Sequence, residues 1–234
     1  TLLEQINATG YGLTQGVHTR IDETVAQVVG ASRAGNVYVN RNIVGAVVGV
    51  QPFGGEGLSG TGPKAGGPLY LLRLLAARPV QAARHAVAHN ASAAPASVRG
   101  VAASGEGVPS GEALAALRAW AQNKGLGLLA AICDQAAAES PVGPWIGLPG
   151  PTGEANLYGV RPREAVLCLV DEHPGSDADR LAQLAAVLAV GSRAVWPAEA
   201  QALFERLPAA VREQVSLAQD WSLPTVSFDA ALHH

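Results

Sequence analysis

The sequence contains no methionine, only two cysteines and only three phenylalanines among its 234 residues. Two cysteines, Cys133 and Cys168, cannot build a disulfide framework, which agrees with a reducing compartment. Because methionine is absent and Thr1 opens within a helical pattern, we expect the chain to be a fragment of a longer protein.

Long apolar runs and a surplus of one charge are missing as well. The longest apolar stretches, around residues 126–133 and 184–190, are too short to cross a bilayer, and nothing near Thr1 has the pattern of a signal peptide. The formal net charge is -3, and no run of Lys or Arg is interleaved with aromatic residues. We therefore expect no transmembrane segment and no nucleic-acid partner for this segment.

Apolar residues are abundant, at 48%, which is enough for one sizeable core or two small ones. Strand patterns at residues 13–17 and 37–39 flank an amphipathic helix, which we expect to begin with a capping box of Thr19 and Asp22 and to close at Gly35. Glycines crowd the segment 45–67, which predicts loops there, and residues 69–77 return to a helical or extended apolar pattern.

A stretch rich in Ala, Ser, Gly and Pro, residues 91–111, has the composition of a linker. After it, residues 111–120 predict a helix with Leu114 and Leu117 inward, 126–134 a strand or a buried helix, and 141–151 a Pro/Gly loop. Residues 165–170, 177–190 and 193–196 predict a strand, a helix and a strand. This βαβ unit predicts a parallel sheet with a right-handed crossover.

The chemistry-bearing segment is residues 39–55, where a strand leads into a loop. Gly45 and its small neighbour Ala46 leave backbone N–H groups open to a ligand, and two such amides form a small anion nest that suits a carboxylate. Phe53, between Pro52 and two glycines, is placed to pack on an aliphatic chain. From the pattern alone, turn-forming glycines and a core phenylalanine are the more common explanation.

Three motifs carry a resemblance to the aldehyde dehydrogenase superfamily: Pro-Phe-Gly-Gly at residues 52–55, Leu-Ser-Gly-Thr-Gly at 58–62, and Thr-Gly-Tyr-Gly-Leu-Thr at 9–14. Within the superfamily, residues 39–55 resemble the version found in L-glutamate γ-semialdehyde (pyrroline-5-carboxylate) dehydrogenases. The resemblance covers about the first eighty residues.

This resemblance implies an oxidoreductase that oxidises L-glutamate γ-semialdehyde to glutamate with NAD. It implies that the amides of Gly45 and Ala46 hold the substrate carboxylate and that Phe53 packs against the carbon chain. Because Ala46 has no hydroxyl, the main chain must do the binding. The nucleophilic cysteine, the general-base glutamate and the NAD site of such enzymes would precede Thr1, so the chain alone should be inactive.

The second half resembles the extra C-terminal domain of long members of the proline utilization A family, in the segments 150–154, 181–197 and 223–229. The expected fold is thus α/β: residues 1–82 as the C-terminal portion of an aldehyde dehydrogenase fold, 83–110 as a linker that can serve as an oligomerisation segment, and 111–234 as a non-catalytic Rossmann-like domain related to that fold. The resemblance also implies that the parent is a bifunctional, cytoplasmic homo-oligomer with FAD in a proline dehydrogenase module. We further expect the parent to associate peripherally with the inner membrane. The alternative is an assembly, lid or channel-sealing module of a larger enzyme.

Several residues with reactive side chains are assigned no chemistry. Ser59 lacks a strand-turn-helix elbow and is expected to be structural, and Cys133 and Cys168 lie in apolar segments and are expected to be inert. His233 and His234 could be metal ligands or the remnant of a tag. Because no third ligand lies nearby in the sequence, no metal site is predicted. No Gly-x-Gly-x-x-Gly lies between a strand and a helix, and the prolines within 149–153 remove amide donors, so no cofactor site is predicted.

Overall fold

The computed structural model describes residues 1–77, 111–143, 145–171 and 176–234, together with positions 79, 82, 85, 86 and 173. The predicted linker at 83–110 lies, except for positions 85 and 86, outside the described residues. Two compact units result: the described residues within Thr1–Glu106 and Pro144–Gly159 form the first, and those within Gly107–Gly143 and Val160–His234 form the second. Residues 145–159 therefore group with the first unit, while the predicted domain bounds stay a prediction.

The first unit combines helices with pairs of short strands. Its elements are α1 (Leu2–Ala8), β1 (Tyr11–Gly12), β2 (Thr14–Val17), α2 (Asp22–Ala31), β3 (Asn36–Val39), β4 (Glu56–Gly57), a 3-10 turn (Leu71–Leu74), β5 (Trp145–Leu148) and β6 (Asn156–Gly159). Strands β2 and β3, which precede and follow α2 in the sequence, pair with each other in parallel. Strand β1 pairs with β4, and β5 with β6, in antiparallel fashion.

The start of α2 differs from its prediction, although both flanking strands are confirmed. Ile21 precedes the helix in an extended conformation, and no side chain caps the first turn. The Thr19 hydroxyl oxygen accepts instead from the N–H of Ile21, 3.2 Å away, before the helix begins, so the predicted capping box was wrong. The helix also ends at Ala31, ahead of Gly35.

The second unit is a parallel sheet with helices. Its elements are α3 (Glu112–Asn123), α4 (Gly127–Glu139), β7 (Ala165–Leu169), α5 (Ser176–Ala189), β8 (Arg193–Pro197), a 3-10 turn (Ala198–Ala200), α6 (Gln201–Phe204), α7 (Ala209–Arg212), β9 (Val215–Ala218) and β10 (Ala230–His233). The strand order is β10-β7-β8-β9, with every neighbouring pair parallel. The chain is therefore mixed α/β, and the predicted β7-α5-β8 unit is confirmed.

Both faces of the β7 and β8 strands are covered by apolar side chains, as the continuous apolar sequences of a buried parallel sheet require. One face packs beneath the helices in a core that includes Leu117, Leu184 and Trp196, none of which is exposed. Leu167 and Val195 point to the opposite face. Alternation along each strand explains why successive residues enter different cores.

Two segments of ambiguous sequence are resolved by the structure. The apolar stretch 126–134 is helical, as part of α4, which buries Leu129, Ala130 and Cys133. The predicted Pro/Gly loop 141–151 contains a strand instead, because β5 pairs with β6 to form a hairpin that buries Ile146 and Tyr158. In the part of the chain that the structure describes, no helix is both long and apolar enough to cross a membrane.

Candidate functional site

The loop that follows β3, residues 41–51, carries the predicted ligand-binding glycine at its centre. Gly45 is exposed and Ala46 is half-buried. A Cβ atom added to Gly45 would have no heavy atom within 4 Å, so the space over this peptide is open. We refer to residues 41–51 as the 41–51 loop.

The two peptides on either side of this centre already use their N–H groups. Val44 donates to Oδ1 of Asn42 over 3.2 Å, and Val47 donates to Oε1 of Gln51 over 3.0 Å. Among the hydrogen bonds made by the described residues, none uses the N–H of Gly45 or Ala46. Two adjacent free donors therefore lie between two occupied ones, which is the composition of an anion nest.

The C-terminal side of the 41–51 loop is held by a tight turn. The N–H groups of Val50 and Gln51 both donate to the carbonyl of Val47, over 3.1 and 2.9 Å. Gly49 adopts a φ of +81°, a conformation that residues with a Cβ atom rarely take. Gln51 thus closes the turn twice, once through its backbone and once through its side chain.

Phe53 follows the loop and is held on both sides through the backbone. Asn36 donates from Nδ2 to the carbonyl of Pro52 over 2.9 Å and accepts from the N–H of Gly54 over 3.1 Å. Phe53 also exchanges two backbone hydrogen bonds with Ala65, of 3.0 and 2.9 Å. Phe53 as a whole is half-buried. No hydrogen bond among the described residues joins Phe53 to Gly45 or Ala46.

A lysine and a glycine keep the segment around Gly54 close to the start of β3. Lys64 donates from Nζ to the carbonyl of Gly54 over 2.7 Å and also to the carbonyl of Gly35. A Cβ atom at position 35 would lie 2.1 Å from the carbonyl oxygen of Gly54, so only glycine allows this approach.

Two polar contacts link the hairpin β5–β6 to the ends of the 41–51 loop. Arg41 lies over the ring of Tyr38, 5.0 Å from its centroid, and its Nη1 is 3.1 Å from Oε2 of Glu154. At the other end, Gln51 donates from Nε2 to Oδ1 of Asn156 over 3.0 Å.

The sequence prediction missed these supporting residues. Asn42 had a local signal, since an asparagine two residues before an amide is typical of an Asx turn. Asn156, which is 105 residues from Gln51, had none.

The other reactive side chains have structural environments. Ser59 accepts from the N–H of Gly12 over 3.2 Å, in agreement with its predicted structural role. Burial raises the pKa of the Cys133 thiol to about 11 and that of Cys168 to about 12, so both stay protonated at neutral pH. His233 lies 3.4 Å from Asp171, and no group of three or more metal-binding side chains forms within the described residues.

Residues 1–80 match the profile described as Aldehyde dehydrogenase family. Over its full length, the chain is 53% identical to the bifunctional protein PutA of Escherichia coli (strain K12), of which it covers 17%. The similarity of the first eighty residues to this family, predicted from three motifs, is thereby confirmed, as is the similarity of the whole chain to part of PutA.

Two further matches concern the first part of the chain. Over 78 residues, or 33% of the chain and 15% of the relative, it is 49% identical to 1-pyrroline-5-carboxylate dehydrogenase 1 of Halalkalibacterium halodurans (strain ATCC BAA-125 / DSM 18197 / FERM 7344 / JCM 9153 / C-125). A crystal structure of a mutant proline utilization A from Bradyrhizobium japonicum matches 31% of this chain and 7% of its own, at 65% identity and a TM-score of 0.30. The chain thus spans less than a fifth of the length of these relatives.

Proposed function

We propose that this chain supplies the carboxylate-binding loop of an NAD-dependent L-glutamate γ-semialdehyde (pyrroline-5-carboxylate) dehydrogenase within a longer proline-catabolic polypeptide. One observation carries the proposal: the N–H groups of Gly45 and Ala46 are free, while those of Val44 and Val47 are occupied. Names of the relatives, which include 1-pyrroline-5-carboxylate dehydrogenase and the bifunctional protein PutA, support this substrate.

In this proposal the substrate carboxylate accepts hydrogen bonds from the two free amides, and Phe53 packs on its carbon chain. Hydrogen bonds to a charged group contribute about 1.5–3 kcal/mol each, so two of them can orient a small substrate. Because the bonds come from the main chain, they select for a carboxylate at the end of the aldehyde without adding a titratable group. This would direct the aldehyde carbon towards a thiolate supplied by residues outside this chain.

NAD would accept the hydride in such an enzyme, but the residues of this chain do not fit it. The described strand-to-helix junctions, at residues 18–21 and 170–175 and after β8, carry no Gly-x-Gly-x-x-Gly sequence. The first turn of α5 holds Asp177 and Asp179, whose negative charges disfavour a pyrophosphate. We therefore assign NAD, the nucleophilic cysteine and the general-base glutamate to other parts of the parent.

For the second unit we propose a non-catalytic, Rossmann-like domain. Its support is the all-parallel strand order β10-β7-β8-β9 together with two buried, protonated thiols. An assembly or channel-sealing role is the alternative function for this part of the chain. A cytoplasmic homo-oligomer with FAD in a proline dehydrogenase module completes the proposal for the parent, on the basis of the similarity to the bifunctional protein PutA.

The decisive experiment enlarges Gly45 to leucine in the full-length polypeptide and measures oxidation of glutamate γ-semialdehyde. Space for the side chain is open in the fold, so we expect an intact protein. The new side chain would occupy the open space over this peptide and keep the carboxylate from one amide, and loss of one charge-assisted bond predicts a fall of roughly 10- to 100-fold in kcat/KM.

The matched control is Gly127→Leu, because Gly127 also has open space over its Cα but lies at the start of α4. This variant should keep the wild-type kcat/KM. An unchanged kcat/KM for Gly45→Leu would remove the assignment of the 41–51 loop.

A further inference from the structure

The hairpin β5–β6 contacts the 41–51 loop at two positions, one at each end of the loop. Arg41 begins the loop and pairs with Glu154, while Gln51 ends it and bonds to Asn156. The two free amides lie between these fixed ends. Any displacement of the hairpin side chains would therefore be transmitted to the peptides of Gly45 and Ala46.

The Gln51 amide group is used at both of its ends, which fixes its orientation. Its Oε1 accepts from Val47, next to the free amides, and its Nε2 donates to Oδ1 of Asn156. Rotating the amide by half a turn would place a donor against the Val47 N–H and an oxygen against the Asn156 oxygen. The hydrogen bond from the hairpin thus holds the acceptor that orders the loop.

Asn156 is itself fixed from the hairpin side. Its Nδ2 donates to the carbonyl of Pro149 over 3.3 Å. A Cβ atom at position 150 would lie 2.2 Å from this Nδ2, so Gly150 provides the room in which the Asn156 side chain turns back. A continuous series of hydrogen bonds therefore runs from Pro149 through Asn156 and Gln51 to Val47.

Arg41 provides a second support of different chemistry. Its guanidinium stacks on Tyr38, whose ring is buried in β3, and is paired with Glu154. The Arg41 and Glu154 side chains are 24% and 35% exposed, so the pair is partly shielded from water. This contact joins the strand before the loop to the turn of the hairpin.

We propose that Asn156 is a positioning residue for the carboxylate of the substrate, acting through Gln51, and that the hairpin makes the enzyme selective for aldehydes that carry a distal carboxylate. The inference rests on the proposed function of Gly45 and Ala46. It goes beyond that function by placing a determinant of specificity in residues 145–159, more than a hundred residues away in sequence.

The test uses the full-length polypeptide with Asn156→Ala, Gln51→Ala and both together. Each substrate series compares glutamate γ-semialdehyde with propanal, an aldehyde without a carboxylate. We expect each single variant to raise the KM for the semialdehyde about tenfold, in line with loss of an ordered hydrogen-bonded loop, with kcat within about threefold of wild type. The double variant should be no worse than Gln51→Ala alone, because Asn156 is proposed to act through Gln51.

For propanal, kcat/KM should stay within about twofold in all three variants, since no carboxylate has to be held. The matched control is Gln135→Ala, which removes an exposed amide that donates to Glu139 on α4 and should leave both substrates unaffected. Asn156→Leu keeps nearly the same volume and gives the same expected result if the alanine variant does not fold.

Two outcomes would overturn the inference. One is an unchanged KM for the semialdehyde in Asn156→Leu or Asn156→Ala while Gly45→Leu still impairs the enzyme, which would leave the proposed function standing. The other is an equal loss for propanal, which would show a general structural role. If Gly45→Leu has no effect, the proposed function fails first, and the inference fails with it.

Discussion

The sheet of the second unit is buried on both faces, whereas the 41–51 loop of the first unit is largely exposed and is ordered by side chains that bond to its backbone. Leu184 and Trp196 are fully buried in the second unit, while Val44 and Val48 in the loop are 90% and 97% exposed. Apolar burial is non-directional, but hydrogen bonds fix individual peptides. Apolar burial therefore stabilises the second unit as a core, whereas hydrogen bonds from side chains hold the backbone of the 41–51 loop in one direction.

The largest effect should come from removing apolar volume in the second unit. Leu184→Ala leaves a cavity beneath α5, and we expect the free energy of unfolding to fall by about 2–5 kcal/mol, measured by urea denaturation. Leu128→Ala is the matched control, because Leu128 is 78% exposed and its loss should cost less than about 0.5 kcal/mol.

The same variant tests the proposed non-catalytic role of the second unit. At a temperature where Leu184→Ala remains folded, the KM for glutamate γ-semialdehyde should equal that of the wild type. A raised KM would contradict a division of labour between a core-forming unit and a substrate-binding unit.

A smaller effect on stability but a larger one on binding is expected for Asn36→Ala. This change removes two hydrogen bonds that hold the peptides on either side of Phe53. We expect a loss of about 1–3 kcal/mol in the free energy of unfolding and a rise of several-fold in the KM for the semialdehyde.

Asn123→Ala is the control for this change, since Asn123 is an exposed residue at the end of α3 and should leave both quantities near wild type. If Asn36→Ala lowers stability without any change in KM, the position of Phe53 does not matter for substrate binding.

The smallest effect concerns pH and an exposed ion pair of the second unit. Arg118 donates to Asp134 over 2.5 Å and lowers the pKa of that carboxyl from its ordinary value of 3.8. A carboxyl with a depressed pKa in the folded state adds stability above its unfolded pKa and loses it as the pH falls through the lower, folded value.

The stability difference between the wild type and Asp134→Asn should therefore be constant at neutral pH and should shrink below about pH 4. Urea denaturation at a series of acidic pH values measures it. A difference that grows as the pH falls would reverse the assigned sign.

The sequence patterns predicted the second unit better than the first. The strands at Ala165–Leu169 and Arg193–Pro197 and the helix Ser176–Ala189 have continuous apolar or amphipathic patterns, which burial reinforces. The hairpin of Trp145–Leu148 and Asn156–Gly159 was missed in part because prolines and glycines surround it and its short strands carry little periodicity.

For the candidate site, the local residues were predictable and the distant ones were not. Gly45 and Ala46 could be selected because small residues in a glycine-rich loop leave amides open, and the family resemblance supplied a ligand. The contact of Gln51 with Asn156 depends on how a remote hairpin packs, and no local pattern encodes it.

The position of β10 in the sheet has a consequence for biosynthesis. β7, β8 and β9 pair in the order in which a ribosome makes them, but β10 must return to the outer edge of β7. Asp229, directly before β10, contacts the start of β7, because its carboxylate accepts from the N–H groups of Glu164 and Ala165. Until then the edge of β7 has unpaired backbone groups, so an emerging chain passes through a stage at which a neighbouring nascent chain can add its own strand.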